Sequence, residues 1–414
     1  MESLGSWKVN VRLGRIMMNQ KQLISYIPGF RFPLFPLESE EQTSVTIPWA
    51  EIEENMPGLV ASLQGCEQDK LYHPEGDVWT HTKMVCDHLV QQKSYWTFPI
   101  EERHLLFLAC LFHDIGKPFV STVEKKQITS PRHSIVGARI LREMVMNPSH
   151  EWHIELPWYV RELVATMILL HTLPFHFIDK NNCEFSVMAA AEVVPNALLY
   201  YLGVADINGR GSRDDASYRN ALDTVTYFVE YCCELGVFAK PFEWWNEDTR
   251  FRYLFLRKGF PSLRMDAPKR GNVVMMSGVQ GSGKSTLANS RYAHLPSVGF
   301  DKTRKDLGLK FRDNEGLVAQ TLKKECRELM ASCQDFVFDA TNLVKDNRAK
   351  WIRLFNDYQY RIKIHYVERD TATVLRDNRN REDSVPDLVI EEAIGRMDFP
   401  TVLEAHKIEY SVGE

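Results

Sequence analysis

Ser277-Gly278-Val279-Gln280-Gly281-Ser282-Gly283-Lys284-Ser285-Thr286-Leu287 is the stretch on which the reading of this chain turns. It fits G-x-x-x-x-G-K-[ST] and follows the apolar run Val273-Val274-Met275-Met276. In such a loop the glycines let backbone N–H groups turn toward phosphate oxygens, the lysine reaches the β- and γ-phosphates, and the next hydroxyl ligates Mg²⁺. Gly278, Gly281, Ser282, Gly283, Lys284, Ser285 and Thr286 are therefore the expected nucleotide-binding residues. A Gly-rich turn of purely structural origin needs neither a strand before it nor a helix-forming stretch after it, and both are present. The C-terminal third is expected to bind ATP or GTP.

Outward from this loop, the bulk properties set limits. At 414 residues the chain is long for one core, so two domains are expected. Apolar residues at 44% and charged residues at 25% suit a globular protein. A net charge of −5 gives no global nucleic-acid signature, so a polyanionic partner must be met by local basic clusters. Eight cysteines form no C-x-x-C pair, and adjacent Cys232-Cys233 suits an ordinary disulfide poorly. Reduced, mostly buried thiols in a cytoplasmic protein are the expectation. No apolar run reaches bilayer length and no signal peptide opens the chain, so no membrane partner is expected. The first sixteen residues read as a weakly ordered extension, with Met17 or Met18 as an alternative start.

The chain divides by periodicity. Residues 1–48 read as an N-terminal extension, 49–238 as a helical domain, 239–270 as a connector with one amphipathic element, and 271–414 as an α/β domain. Within the helical part, Val160, Val164, Ile168 and His171 share one helix face, as do Leu106, Ala109 and His113. Beyond the connector, apolar strands at 273–277, 296–300, 335–339 and 361–367 alternate with helical segments such as Glu315 to Ser332. Strand and helix in turn imply a central parallel sheet with helices on both faces. The predicted fold is thus an all-α domain followed by an α/β P-loop domain.

The helical part carries a scattered set: His81, His113-Asp114, His133, His171 and Asp206. His113-Asp114 stands at a helix end, and Gly116 would let the chain leave the helix with both side chains in one pocket. Imidazoles with carboxylates make an N/O site for Mn²⁺, Fe²⁺, Ni²⁺ or Co²⁺. Two such ions could share Asp114 and clamp the attacking and leaving oxygens of a phosphoester. A lone His on an apolar face is usually a hydrogen-bonded core residue; six in concert reverse that reading. His88 lies one heptad after His81, about 10 Å along the helix, too far to share an ion. It is read as structural, with His104, His150, His153 and His176; His73 shapes the approach, and Lys117 is equally a surface lysine or a phosphate contact.

His73-Pro74-Glu75-Gly76-Asp77-Val78-Trp79-Thr80-His81, His113-Asp114-Ile115-Gly116-Lys117, His133 with Gly137, His171-Thr172-Leu173 and Asp206-Ile207-Asn208-Gly209-Arg210-Gly211 together resemble the HD-superfamily metal-dependent phosphohydrolases. The nearest variant is that of bacterial tRNA nucleotidyltransferases, over roughly residues 50 to 215. The resemblance implies His81, His113, Asp114 and Asp206 as core metal ligands, with Asp114 catalytic. His133 and His171 then correspond to the extra histidines of two-metal members, so one or two divalent ions are implied.

In the P-loop part, Gly299-Phe300-Asp301 ends the second strand and Arg304 follows one turn on. A carboxylate there sits beside the phosphate loop and can take a proton from an attacking hydroxyl, with Arg304 facing an acceptor phosphate. Phe336-Val337-Phe338-Asp339 ends the next strand, where a carboxylate orders Mg²⁺. Thr341-Asn342 and Arg348 follow, and Arg376, Arg379 and Arg381 precede Val385-Pro386, a cluster suited to a lid over the triphosphate. This arrangement resembles phage-type polynucleotide kinases and their P-loop relatives over about residues 271 to 400. On that resemblance Asp301 is the general base, Arg304 contacts an acceptor 3′-phosphate, Lys284 and Ser285 handle phosphate and Mg²⁺, and Arg379 or Arg381 serves the lid.

The order of the two halves resembles bifunctional bacterial HD-domain polynucleotide kinases. That implies ATP with Mg²⁺, RNA or DNA ends as substrates, and a nucleic-acid ligase acting on the healed ends. A nucleotide, tRNA or small-metabolite kinase fused to an HD nucleotide phosphohydrolase is the alternative, and a regulatory P-loop ATPase a third reading.

Overall fold

A computed structural model describes residues 29–125, 127–211, 215–310, 313–380 and 384–413. The readings of the first sixteen residues, of Met17 and Met18, and of Arg381 lie outside these residues. The chain has a helical half followed by an α/β half.

Five helices of the first half position its site: α1 (Val78–Gln91), α2 (Ile100–Phe112), α3 (His133–Met146), α4 (Trp158–Leu170) and α5 (Asn196–Asn208). The Asp77 side chain caps α1 by accepting the Thr80 N–H at 2.7 Å. The helices α2, α4 and α5 each begin directly after a proline (Pro99, Pro157, Pro195), which drives the preceding residue out of helical backbone. From Arg103 to Phe112 every residue of α2 is buried, so this helix is the centre of the bundle.

Burying the polar members of α2 requires partners, and these come from upstream. His104 accepts the Phe32 N–H at Nδ1 (3.0 Å) and donates from Nε2 to the Leu37 carbonyl (2.9 Å). Burial pushes its pKa down to about 4, which keeps the ring in the neutral form this bonding uses. Arg103 reaches the carbonyls of Trp96, Phe98, Glu40 and Gln42. Phe32, Phe35, Leu37 and Ile47 are buried, and the Phe35 ring stacks on Phe107 with centroids 4.0 Å apart. The expected extension is thereby corrected: residues 30–47 complete the helical core. Irregular backbone gives no periodicity to read, and the apolar residues here are spaced by turns and prolines.

A second correction is a short antiparallel hairpin, β1 (Thr122–Glu124) with β2 (Gln127–Thr129), between α2 and α3. Three-residue exposed strands are too short for an alternating pattern to register.

The second half is built on β3 (Gly271–Ser277), β4 (Ser297–Val298), β5 (Phe336–Phe338), β6 (Tyr360–Glu368) and β7 (Lys407–Val412), all parallel, in the order β4-β5-β3-β6-β7. The β3 residues alternate between two cores. Val273 and Met275 join Phe336, Phe338, Ile362 and Ile364 on one face, while Val274 and Met276 join Val337 and Val367 on the other. Burial on both faces explains why the inner strands read as continuous apolar runs. The edge strand β7 contributes only one buried apolar residue, Ile408, and was not anticipated. Among the described residues no single helix is long and apolar enough to cross a membrane.

The halves meet through a buried ion network. Arg142 Nε donates to Glu162 Oε2 and Arg161 Nε to Glu162 Oε1, both at 2.8 Å. The two terminal nitrogens of Arg161 donate to the two oxygens of Glu368, also at 2.8 Å each, and the Tyr366 hydroxyl donates to Glu368 at 2.6 Å. Around it, the connector helix Glu247–Leu254 sends Tyr253 and Leu254 into the helical core and Phe251 into the sheet core. Removing one partner of a buried pair leaves the other charge uncompensated. Glu368→Ala should therefore destabilise the chain by about 3–5 kcal/mol, measured by thermal or denaturant unfolding.

Candidate active sites

The first candidate site forms where helix ends converge. His113 and Asp114 lie at the C-terminal end of α2, His133 opens α3, His171 caps α4, His81 sits in the first turn of α1 and Asp206 in the last turn of α5. The chain between α2 and α3 must come back on itself tightly. At Gly116 a Cβ would stand 2.1 Å from the His133 carbonyl oxygen and 2.6 Å from Gly137 N. Its backbone is right-handed, φ −80°, so glycine is required by the close approach of α3 and not by a left-handed exit from the helix. This revises the reason expected from sequence while keeping the position.

Asp114 is the hub. Its Oδ2 is 3.1 Å from His113 Nε2 and 3.9 Å from His81 Nε2, while its Oδ1 is 3.5 Å from His133 Nε2 and 3.9 Å from His171 Nε2. Two triads result, His81–His113–Asp114 and Asp114–His133–His171, each with ligand-type atoms within 4.8 Å of one another. Asp206 Oδ1 is 3.2 Å from His81 Nε2, so all six sequence-predicted residues are brought together.

Three of the four rings are turned by their own backbone. The Nδ1 atoms of His113, His133 and His171 lie 2.8, 2.8 and 2.7 Å from the carbonyls of Cys110, Ser130 and Ile168. Such bonds place the proton on Nδ1 and leave Nε2 facing inward with its lone pair. Burial, reinforced by His133, pushes the His171 pKa down to about 3, so it is a neutral donor. Burial alone would raise the Asp114 carboxyl, but His113, Lys117 and His133 hold it well below the usual range. Burial likewise opposes ionisation of Asp206, and Arg210 with His81 overcomes it.

The donor set fits a divalent transition ion. His113 Nε2, His81 Nε2 and Asp114 Oδ1 are buried without a hydrogen-bond partner among the described residues, although carboxylates and imidazoles surround them. Buried lone pairs left unmatched among converging imidazoles and carboxylates are what a bound cation would satisfy. Inward-facing imidazole nitrogens with a shared carboxylate suit Mn²⁺, Fe²⁺, Ni²⁺ or Co²⁺.

Around the cluster stand two cations. Lys117 Nζ is 2.6 Å from Asp114 Oδ2, and Arg210 holds Asp206 through both terminal contacts at 3.2 Å while lying over the Phe175 ring. His73 Nδ1 is 2.9 Å from Glu75 Oε1, and its ring stands edge-on to that of His81 with centroids 4.7 Å apart. His88 is half-buried on α1 away from the cluster, as expected. Glu75 stands in the sequence motif without a predicted role of its own, and the His73-x-Glu75 spacing is the signal that a carboxylate lies beside these rings.

The second candidate site lies at the carboxyl end of the parallel sheet, where β3 runs into α6 (Lys284–Arg291). Gly278 has φ +145°, and a Cβ there would meet the Val367 carbonyl oxygen at 2.2 Å, so the loop closes against the end of β6 only with glycine. Ser285 Oγ donates to Asp339 Oδ2 at 2.7 Å, which places the two Mg²⁺-type ligands side by side. Lys284 Nζ is bonded to the Val279 carbonyl at 2.6 Å, and Ser282 Oγ is buried without a hydrogen-bond partner among the described residues. Gly281 packs under Val374, so the helix α8 (Thr371–Arg379), which follows β6, flanks the loop, while the helix α7 (Phe300–Asp306) follows β4.

Asp301 opens α7 with its side chain 94% exposed, open to an incoming acceptor. Arg304 bonds Asp301 Oδ1 at 2.7 Å and Glu315 Oε1 at 3.0 Å; Glu315 carried no signal in the sequence beyond a helix start. Arg348 is buried away from the site, bonding Glu404 twice at 2.8 Å and the carbonyls of Asn342 and Leu343. It holds the turn after Asp339 in place. Arg376 and Arg379 are exposed on α8, Arg379 Nε donating to Asp387 at 2.9 Å.

Comparison with known proteins follows this division. The family profile described as HD domain matches residues 78–187, and the profile AAA_33, described as AAA domain, matches residues 273–400. No curated protein matches the chain. Similar solved structures include a protein described as a candidate kinase from Chloroflexus aurantiacus, 15% identical with a TM-score of 0.30, covering 35% of this chain and 86% of that one. A gluconokinase from Sinorhizobium meliloti is 15% identical with a TM-score of 0.26, covering 35% of this chain and 84% of that one. Similarity at that level says nothing of a substrate. The chain carries an HD domain followed by a P-loop kinase-like domain.

Proposed function

We propose that this protein is a two-headed nucleic-acid end-healing enzyme, a metal-dependent 2′,3′-phosphoesterase in its HD half and an ATP-dependent 5′-hydroxyl polynucleotide kinase in its P-loop half. The observation that carries the reading is the presence in one chain of two separate centres, the Asp114 histidine–carboxylate cluster and the glycine-rich loop at Gly278–Thr286, each with side chains suited to phosphate chemistry. RNA cleavage by transesterification leaves a 2′,3′-cyclic phosphate on one fragment and a 5′-hydroxyl on the other. Hydrolysis of the first and phosphorylation of the second produce ends that a ligase can join.

In the HD half, His81, His113, Asp114 and Asp206 would hold one ion, and Asp114 with His133 and His171 a second. Bound there, such ions polarise a phosphoryl oxygen and acidify water. The Nδ1-anchored rings keep their Nε2 atoms fixed in the centre. Lys117 and Arg210 supply positive charge at its edge, where a phosphate diester would be drawn and oriented. Net reaction adds water across one P–O bond and leaves a ribose hydroxyl.

In the P-loop half, the acceptor 5′-oxygen attacks the γ-phosphorus of ATP, the bond to the β-phosphate oxygen breaks, and ADP leaves. Asp301 takes the hydroxyl proton, Lys284 and the loop N–H groups hold the phosphates, and Ser285 with Asp339 would hold Mg²⁺. Arg304 steadies Asp301 and would contact an acceptor phosphate; Arg379 or Arg381 would close from the lid. The cytoplasm is the expected compartment, with RNA or DNA ends as substrates and a ligase downstream.

Three outcomes check this reading. Incubation with ATP, Mg²⁺ and a short 5′-hydroxyl oligonucleotide should transfer the γ-phosphate to the oligonucleotide; phosphorylation of a nucleoside or small metabolite instead rejects it. Asp114→Ala should lower phosphoesterase activity by at least about a hundredfold and spare the kinase, and Lys284→Ala should do the reverse by about 10²–10³. Mn²⁺ at a hundred times the Kd of a site should stabilise the protein by about 2.7 kcal/mol for each ion bound, a gain that Asp114→Asn should abolish in a thermal melt.

A further inference from the structure

We propose that Glu75 is the positioning residue for one half of the histidine–aspartate centre, fixing His81 and the ion on the Asp114 Oδ2 side while leaving the Oδ1 side untouched. The inference rests on the metal reading given above. It starts from an asymmetry among the four inward rings. His113, His133 and His171 each lean Nδ1 on a backbone carbonyl three residues earlier. His81 does not: its Nδ1 stands 2.9 Å from Glu75 Oε1. That contact is off the N–H axis and lacks hydrogen-bond alignment, so the carboxylate steers the ring through charge rather than as a fourth copy of the backbone bonds.

Glu75 is well placed to do this. Its side chain is 2% exposed and held by two aligned bonds, Oε1 to His73 Nδ1 and Oε2 from the Gly211 N–H, both at 2.9 Å. Within 4.0 Å its ion-pair partners among the described residues are His73 and His81 alone. A buried carboxylate held by hydrogen bonds and by the more distant charge of Arg210 is costly, and the greater positive character of the His81 ring with a cation on the opposite nitrogen would offset part of that cost. The negative charge in turn raises the basicity of His81 Nε2, the atom that faces Asp206 and Asp114.

The effect is confined to one half. Through Gly211 the same carboxylate ties down the chain leaving α5, which carries Asp206 and Arg210, so its reach is the His81–Asp206 side. On the other side, His133 and His171 approach each other at 3.2 Å and meet Asp114 Oδ1, with no contact to Glu75. His73, Glu75 and His81 also lie close enough to bind an ion of their own. That would require both nitrogens of His81 to be ligands at once, which costs the Nδ1 proton, and orientation is the simpler use of the same atoms.

Titration calorimetry of the full-length, EDTA-stripped protein with Mn²⁺ decides the matter. The unsubstituted chain should show two binding events. In Glu75→Gln one event should weaken by about 10–100-fold and the other stay unchanged, with the stripped protein still unfolding cooperatively and the 5′-kinase activity unaltered. Glu75→Asp, which keeps the charge but withdraws it by one methylene, should weaken the same event to a smaller extent. Equal weakening of both events, no weakening, a single event in the unsubstituted chain, or a third event lost in Glu75→Gln overturns the assignment. Absence of any Mn²⁺ binding by the unsubstituted chain would end the metal reading itself.

Discussion

One buried carboxylate, Asp114, governs the helical half. Each of its oxygens faces two imidazole nitrogens, and each of those rings belongs to a different helix or helix end. Four imidazoles and two carboxylates taken out of water together would be a large desolvation cost if they had only one another as partners. Rings whose Nε2 atoms face the carboxylates, three of them aimed by Nδ1 bonds to backbone, and carboxylates held ionised form an arrangement that a divalent cation satisfies. The fold around them is arranged for this: proline-started helices end at one point, and Gly116 lets α3 touch the turn that carries Asp114.

The P-loop half obeys a different constraint, the geometry of a doubly covered parallel sheet. Its central strand β3 delivers the phosphate loop, and the neighbours β4 and β5 deliver Asp301 and Asp339 to the same edge. The two halves are joined away from the Asp114 cluster and beside the support of the phosphate loop. Helices α3 and α4 carry His133 and His171 at one end and Arg142, Arg161 and Glu162 toward the other, where Arg161 grips Glu368 at the end of β6. Val367, one residue earlier, backs Gly278 of the phosphate loop. A rigid helix pair thus spans from one centre to the support of the other.

Much of this was legible in the residues. The phosphate loop and inner strands announce themselves because a sheet buried on both faces leaves uninterrupted apolar runs, as in Val273 to Met276. The histidine set was legible because imidazoles at helix ends, followed by glycine and lysine, have little structural use there. What escaped notice lacks periodic signal. Residues 30–47 pack as irregular backbone through Phe32, Phe35 and Leu37; β1 and β2 are too short to alternate visibly; β7 shows one buried side chain. Side-chain partnerships across distant loops, such as Glu75 with Gly211 or Arg304 with Glu315, depend on how helices cross, and spacing along the chain carries no record of that.

The central claim is that Asp114 sits between two ions. Anomalous diffraction from crystals of the Mn²⁺-loaded protein tests it most directly. The account predicts two peaks flanking Asp114, one beside His81, His113 and Asp206 and the other beside His133 and His171. Density for ions elsewhere, with none among these six side chains, would contradict it.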